Sequence, residues 1–185
     1  MKDAFPAHPA SFGGVAVRVA PDGRSATAVA TLLDAATLGL LGSHAARVAI
    51  DAADDGLPAM LAALAGLPAP PDIVMVDGHG TADAARSGIA VRLGRATDLP
   101  CIGVALDIPP GMQARITLHD MRGAFTPLRD GGVQVGWVLR SRVGAGPLVV
   151  SPGHRVAMPS APALVMRCIR GDLLPEPLRL AREAL

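Results

Sequence analysis

The stretch Asp72-Ile73-Val74-Met75-Val76-Asp77-Gly78-His79-Gly80 decides the fold. The unbroken apolar run from Ile73 to Val76 is the pattern of a strand buried on both faces, as in a parallel sheet. Asp77 ends that run, and Gly78 and Gly80 break it. In open α/β sheets ligands bind at the carboxyl ends of strands, so Asp77 stands where chemistry is expected. A carboxylate there can hold a hard cation such as Mg²⁺, which prefers oxygen ligands. Glycines on either side of His79 let backbone approach a phosphate or a base. A plain strand-to-helix turn, with Asp77 capping backbone amides, fits the same residues equally well.

Downstream, residues 81–93 read as a helix and residues 101–106 as a second buried strand. Strand, helix, strand in this rhythm predicts a parallel βαβ unit. Upstream, residues 15–20 and 26–33 are β-rich runs on either side of Pro21-Asp22-Gly23, which is good turn chemistry. Residues 44–50 make a third strand, and residues 57–67 a helix that Pro68 to Pro71 ends. Residues 112–150 are strand-like with turns, notably at 133–139 and 148–150. Residues 162–169 and 177–184 read as helices, the latter with Pro177 in its first turn and Glu176 beside it. The predicted architecture is an α/β mixed sheet, an antiparallel meander joined to parallel strands, flanked by helices.

With 185 residues the chain is long enough for one domain, spanning 1–185, but short for two. Half of it is hydrophobic, Tyr is absent, and only three Phe and one Trp occur, so small aliphatic side chains must fill the core. No apolar run approaches the roughly 18 residues of a membrane span. The first nine residues lack the basic and apolar regions of a signal peptide. Cys101 and Cys168 sit far apart in apolar contexts, as reduced core cysteines do. These features predict a cytoplasmic protein that does not enter membranes.

Residues 1–109 carry seven basic and eleven acidic side chains, whereas residues 110–185 carry ten and five. A basic second half is compatible with phosphate contacts. A solvated, arginine-rich surface accounts for it as well. Ser151-Pro152-Gly153-His154-Arg155 follows another strand, and its Pro-Gly turn holds His154 in place. A histidine so held can orient water, act as an acid or base, or assist a metal.

In this order, these segments resemble endonuclease V from about residue 12 to the end. Val76-Asp77-Gly78-His79-Gly80 is similar to the family's most recognisable motif, and Ile102-Gly103-Val104-Ala105 to the strand after it. Gly136-Trp137-Val138-Leu139-Arg140, then the segment ending at His154, are similar to its later strands and catalytic-histidine turn. Leu174-Pro175-Glu176-Pro177-Leu178-Arg179-Leu180-Ala181 is similar to its C-terminal signature. The resemblance implies a ribonuclease H-like fold and Mg²⁺- or Mn²⁺-dependent cleavage of a phosphodiester near deoxyinosine in DNA or inosine in RNA. It implies Asp77 and His154 as catalytic residues and Asp77 as a metal ligand. Gly78, His79, Gly80, Arg140 and Arg155 are the expected nucleic-acid contacts.

The same resemblance exposes departures. The first-strand metal ligand, an Asp in the family, falls on Ala16, and the catalytic Glu falls near Asp55 or Gly56. The segment before Pro58 lacks the family's Pro-Tyr-Ile-Pro-type wedge. The family's His-Pro-Arg after the main motif is Asp83-Ala84-Ala85, and its strand-ending Lys is Leu106, followed by Asp107. Asp55 is a shorter, shifted stand-in for that Glu and, with Asp107, a further metal-ligand candidate beside Asp77. Asp77, Asp83 and Asp107 are candidates for a relocated, oxygen-rich site, although three acids near a helix start also serve as caps. Two readings remain: a metal-dependent nuclease with weakened or lost activity, or a non-catalytic member that binds nucleic acid or a protein partner.

Overall fold

The computed structural model describes residues 2–51, 54–114 and 118–185. The Pro21-Asp22-Gly23 turn does what its chemistry predicts: β1 (Ser11–Val19) and β2 (Ser25–Asp34) pair antiparallel with Val15 opposite Ala30, and β3 (Leu40–Ala49) adds to β2. Helix α1 (Leu57–Ala65) leads into β4 (Ile73–Asp77), which pairs parallel with β1. Helix α2 (Ile89–Thr97) returns to β5 (Cys101–Ala105), parallel to β4. The chain then forms β6 (Gln113–Ala114), β7 (Phe125–Asp130), β8 (Val133–Leu139) and β9 (Leu148–His154), and ends in α3 (Ala161–Arg167) and α4 (Glu176–Glu183). All strands join one nine-stranded sheet in the order β3-β2-β1-β4-β5-β9-β8-β7-β6. The mixed architecture expected from the sequence is present, though residues 115–117, within the strand-like 112–150 stretch, lie outside the described residues.

The helix expected over 81–93 starts only at Ile89. Asp83 supplies the reason. Its Oδ1 accepts the backbone N–H groups of Ala85 and Ser87, a local turn that competes with helix formation. Arg86 in that turn has a positive φ of 57°.

Side-chain parity divides the core. Phe12 and Ala16 of β1, Val29 and Leu33 of β2, Ile73 and Met75 of β4 pack against α3 and α4. Val15, Ala28, Ala30, Val74, Val76 and Cys101 face α1 and α2. With so few aromatics, the core closes by bringing backbones together. At Gly14 a Cβ atom would overlap the Pro177 carbonyl, so α4 can lie on β1 only because that position is glycine. Thr31 Oγ1 fixes the same contact by donating to the Pro177 carbonyl at 2.8 Å. Burial pushes both thiols, Cys101 and Cys168, up to about 12, so neither is poised to react near neutral pH.

Two consequences can be measured. Gly14→Ala should destabilise the fold by about 1–3 kcal/mol, the cost of overpacking a filled contact, and lower the melting temperature accordingly. Glu176, at the start of α4, accepts from Arg179 Nε at 2.9 Å and Nη2 at 2.7 Å. That guanidinium holds its carboxyl below the usual 4.5. A depressed carboxyl contributes stability that is complete above its unfolded value and lost as pH falls, so the pair should weaken below pH 4.5. Glu176→Gln should flatten that part of the stability–pH curve, as thermal melts between neutral and acidic pH would show.

Candidate active site

Asp77 is the last residue of β4, and the parallel register that pairs Val15 with Val76 makes Ala16 its neighbour on β1. Both side chains point to the face covered by α4. Ala16 is fully buried in the cluster containing Leu178 and Ala181. The sequence-based placement of Ala16 beside Asp77 is therefore what the structure shows, and a methyl group stands where a second carboxylate would be needed. Arg182, from the last turn of α4, donates through Nε to Asp77 Oδ2 at 2.6 Å and through Nη2 to Oδ1. Its own pKa is raised by that hydrogen bond to Asp77, against the opposing effect of burial. Both oxygens of the motif carboxylate are thus engaged by one planar guanidinium, the bidentate geometry that suits arginine.

Asp55 lies after the meander, as expected, but it too faces an arginine: Arg92 of α2 contacts it through Nη1 at 3.1 Å and through Nη2. Asp83 is committed to its turn. Asp107 is exposed, 3.6 Å from His79 Nε2, beside a cleft of about 410 Å³ also lined by Asp83, Pro109 and Met112. The relocated site imagined from Asp77, Asp83 and Asp107 is not assembled. Among the described residues, no group of three or more His, Cys, Asp or Glu side chains could hold a metal ion. The donor set around Asp77 therefore does not fit Mg²⁺ or Mn²⁺, which needs free carboxylate oxygens and room for water.

His154 does not join Asp77. In β9 it pairs with Cys101, at the start of β5, whereas Asp77 pairs with Val104 near its end. Three residues along a strand separate them by about 10 Å. The faces differ as well. His154 packs over Gly94 of α2, and its Nε2 lies 3.2 Å from Asp98 Oδ1. Arg155 binds the other oxygen of Asp98 at 2.8 Å, at that same far end of the sheet. Arg140 is largely buried, bonded to the Ala145 carbonyl and 3.4 Å from Asp120, so it braces a loop. Asp77 and His154, expected to face one cleft, do not meet; Arg140 and Arg155, the expected phosphate contacts, pair with Asp120 and Asp98.

In the motif turn, Gly80 is buried and its N–H donates to Ser151 Oγ at 2.8 Å. A Cβ at Gly80 would overlap the Pro152 carbonyl, and Gly78 has a φ of 136° with Ile89 beside it. These two glycines seat the turn on β5, β9 and α2. His79 is half-buried, and its buried Nδ1 has no hydrogen-bond partner among the described residues. Sequence reasoning missed Arg182. The available signal was its position one residue past the C-terminal signature, but its reach to Asp77 follows from how α4 docks.

A family model described as Endonuclease V matches residues 55–183. A protein named Endonuclease V from Xanthomonas oryzae is 44% identical over 188 residues, covering 98% of this chain and 78% of the relative. The crystal structure of Endonuclease V from Streptomyces avermitilis superposes with a TM-score of 0.90 at 34% identity, over 98% of this chain and 82% of that one. A Ciona intestinalis endonuclease V, solved in complex with an inosine-containing 24mer DNA, shares the fold at a TM-score of 0.76 and 17% identity, over 95% of this chain and 84% of that one. The ribonuclease H-like mixed sheet expected from the sequence is the fold these proteins share, and this chain belongs to the endonuclease V family.

Proposed function

We propose that this chain binds nucleic acid containing a deaminated purine and that its metal-dependent phosphodiester cleavage is weak or lost. Family membership supports the ligand class, since the Ciona relative was solved on inosine-containing DNA. One observation carries the second half: Arg182 engages both oxygens of Asp77, with Ala16 beside them. A guanidinium supplies positive charge and hydrogen-bond donors that can meet a phosphate oxygen. It has no open coordination position from which to lower the pKa of a bound water, which is how a metal makes hydroxide near neutral pH. What these residues can do is bind and orient a phosphodiester.

The direct test incubates the protein with inosine-containing DNA and RNA in Mg²⁺ or Mn²⁺, scoring strand scission and binding in parallel. Retention without scission is expected. Turnover of roughly 1 per second or faster, the range of ordinary enzymes, would overturn the reading. No binding of either nucleic acid would favour a protein partner instead.

Thermal melts address the metal separately. Mn²⁺ should leave the melting temperature of the wild-type protein unchanged. The double variant Ala16→Asp, Arg182→Ala sets two carboxylates side by side without a cation. It should melt below wild type in chelator and regain stability with Mn²⁺, because binding to the folded state alone stabilises by mass action. Ala16→Asp alone should need no ion, since Arg182 is there to meet the new carboxylate. A clear Mn²⁺-dependent rise in wild type would show that Asp77 still takes a metal.

A further inference from the structure

Arg18 and Arg47 are both exposed and stand on one face of the sheet. Arg18 of β1 pairs with Thr27 of β2, and Thr27 pairs with Arg47 of β3. Residues directly opposite in antiparallel strands point the same way, so Arg18, Thr27 and Arg47 form a cross-strand row. The row lies on the α4 face, because Thr31, two pleats along from Thr27, is bonded to Pro177 of that helix. Arg18 lies two residues beyond Ala16, about 7 Å further along β1, and Arg47 lies two strands over, about 10 Å from Arg18. Ala16 in turn borders the Asp77–Arg182 pair.

Helix α4 packs over β1 and β2 and touches β4, but leaves β3 bare: Ser43, Ala45, Arg47 and Ala49 on that side are all exposed. Three of these four are small. Among the described residues, neither Arg18 nor Arg47 takes part in an ion pair, and Arg47 donates only to Ser25 Oγ at 3.2 Å. The nearest acids in sequence, Asp22 and Asp51, sit in the connections past the end of the row, where Asp22 caps the Arg24 N–H. Guanidinium groups without a counter-charge on an uncovered sheet face suit a polyanion.

We propose that Arg47, Arg18 and Arg182 form a track that carries the sugar–phosphate backbone of a nucleic-acid strand across the bare end of the meander to Asp77. This rests on the nucleic-acid reading above and adds the path. No aromatic side chain lies in the row, so bases have no stacking platform there. The track reads charge alone, holding the strand without regard to sequence while any recognition of the altered base takes place elsewhere.

The test is fluorescence anisotropy with two labelled single-stranded oligodeoxynucleotides, one carrying a single deoxyinosine and one unmodified, over a range of KCl concentrations. Arg18→Gln and Arg47→Gln should each weaken binding of both oligonucleotides several-fold, by the same factor. Each should also lower the slope of log affinity against log salt by about 0.7, the value for one single-strand phosphate. Both side chains are exposed, so melting temperatures should not move, and Arg95→Gln, an exposed arginine of α2 on the other face of the sheet, should bind as wild type does. If wild type binds while both variants keep its affinity and slope, the track is wrong and the nucleic-acid reading stands. A loss confined to the deoxyinosine strand would also refute the track, because it would mean base readout. If wild type binds neither strand, both proposals fall.

Discussion

The absence of a side chain at Gly14 is the constraint on which the rest of the site depends. It lets the first turn of α4 press onto β1 at Pro177, and Thr31 pins the contact from β2. With its start fixed there, α4 runs along β1 toward the carboxyl end of β4, and its last turn delivers Arg182 to Asp77. Glu176 and Arg179 close the other end of the helix on itself. Backbone packing in a core poor in aromatics and the chemistry at the strand ends are therefore one arrangement.

The charge at that end of the sheet follows from the same docking. Arg182 and Asp77 are both partly withdrawn from water, with side chains 30% and 20% exposed. A carboxylate so placed needs a counter-charge, and leaving one partner alone costs more than the pair contributes. A guanidinium is charged at every pH a cell offers, and the bond to Asp77 raises its pKa further. Its charge is spread over a plane of five N–H donors, of which Asp77 uses two. Among the described residues the other three have no hydrogen-bond partner. The cation that faces Asp77 is thus one built into the chain, and on the proposed reading it serves to hold a phosphate.

Much of this was legible in the sequence. The apolar run 73–76, the Pro-Asp-Gly turn and the alternation of strand and helix fixed β1 to β5, and the motif spacing put Ala16 next to Asp77. What escaped were features set by which end of a strand, or which face, a residue occupies. His154 ends a strand just as Asp77 does, but β9 runs antiparallel to β5, so it lies at the opposite end of the strands. The acids that pair with Arg140 and Arg155, Asp120 and Asp98, are remote from them in sequence. The helix over 81–93 failed locally, since Asp83 offers the backbone a better bargain as a turn. Arg18, Arg47 and Arg182 were unremarkable one at a time and became a set through register and docking.

Asp55 sharpens the electrostatic argument. Asp77, the acid of the motif, and Asp55, the shifted stand-in for the family's Glu, each face an arginine from a different helix, Arg182 of α4 and Arg92 of α2. Those helices lie on opposite faces of the sheet, so the two pairs do not share one cause in packing. They do share one in electrostatics. With Ala16 at the first-strand position, the carboxylates of Asp55 and Asp77 are each balanced by a guanidinium of their own. An exposed pair such as Asp55–Arg92 contributes little to stability. The partly buried Asp77–Arg182 pair sets the orientation of both groups. Asp77 thus fixes the place of a guanidinium at the carboxyl end of β4.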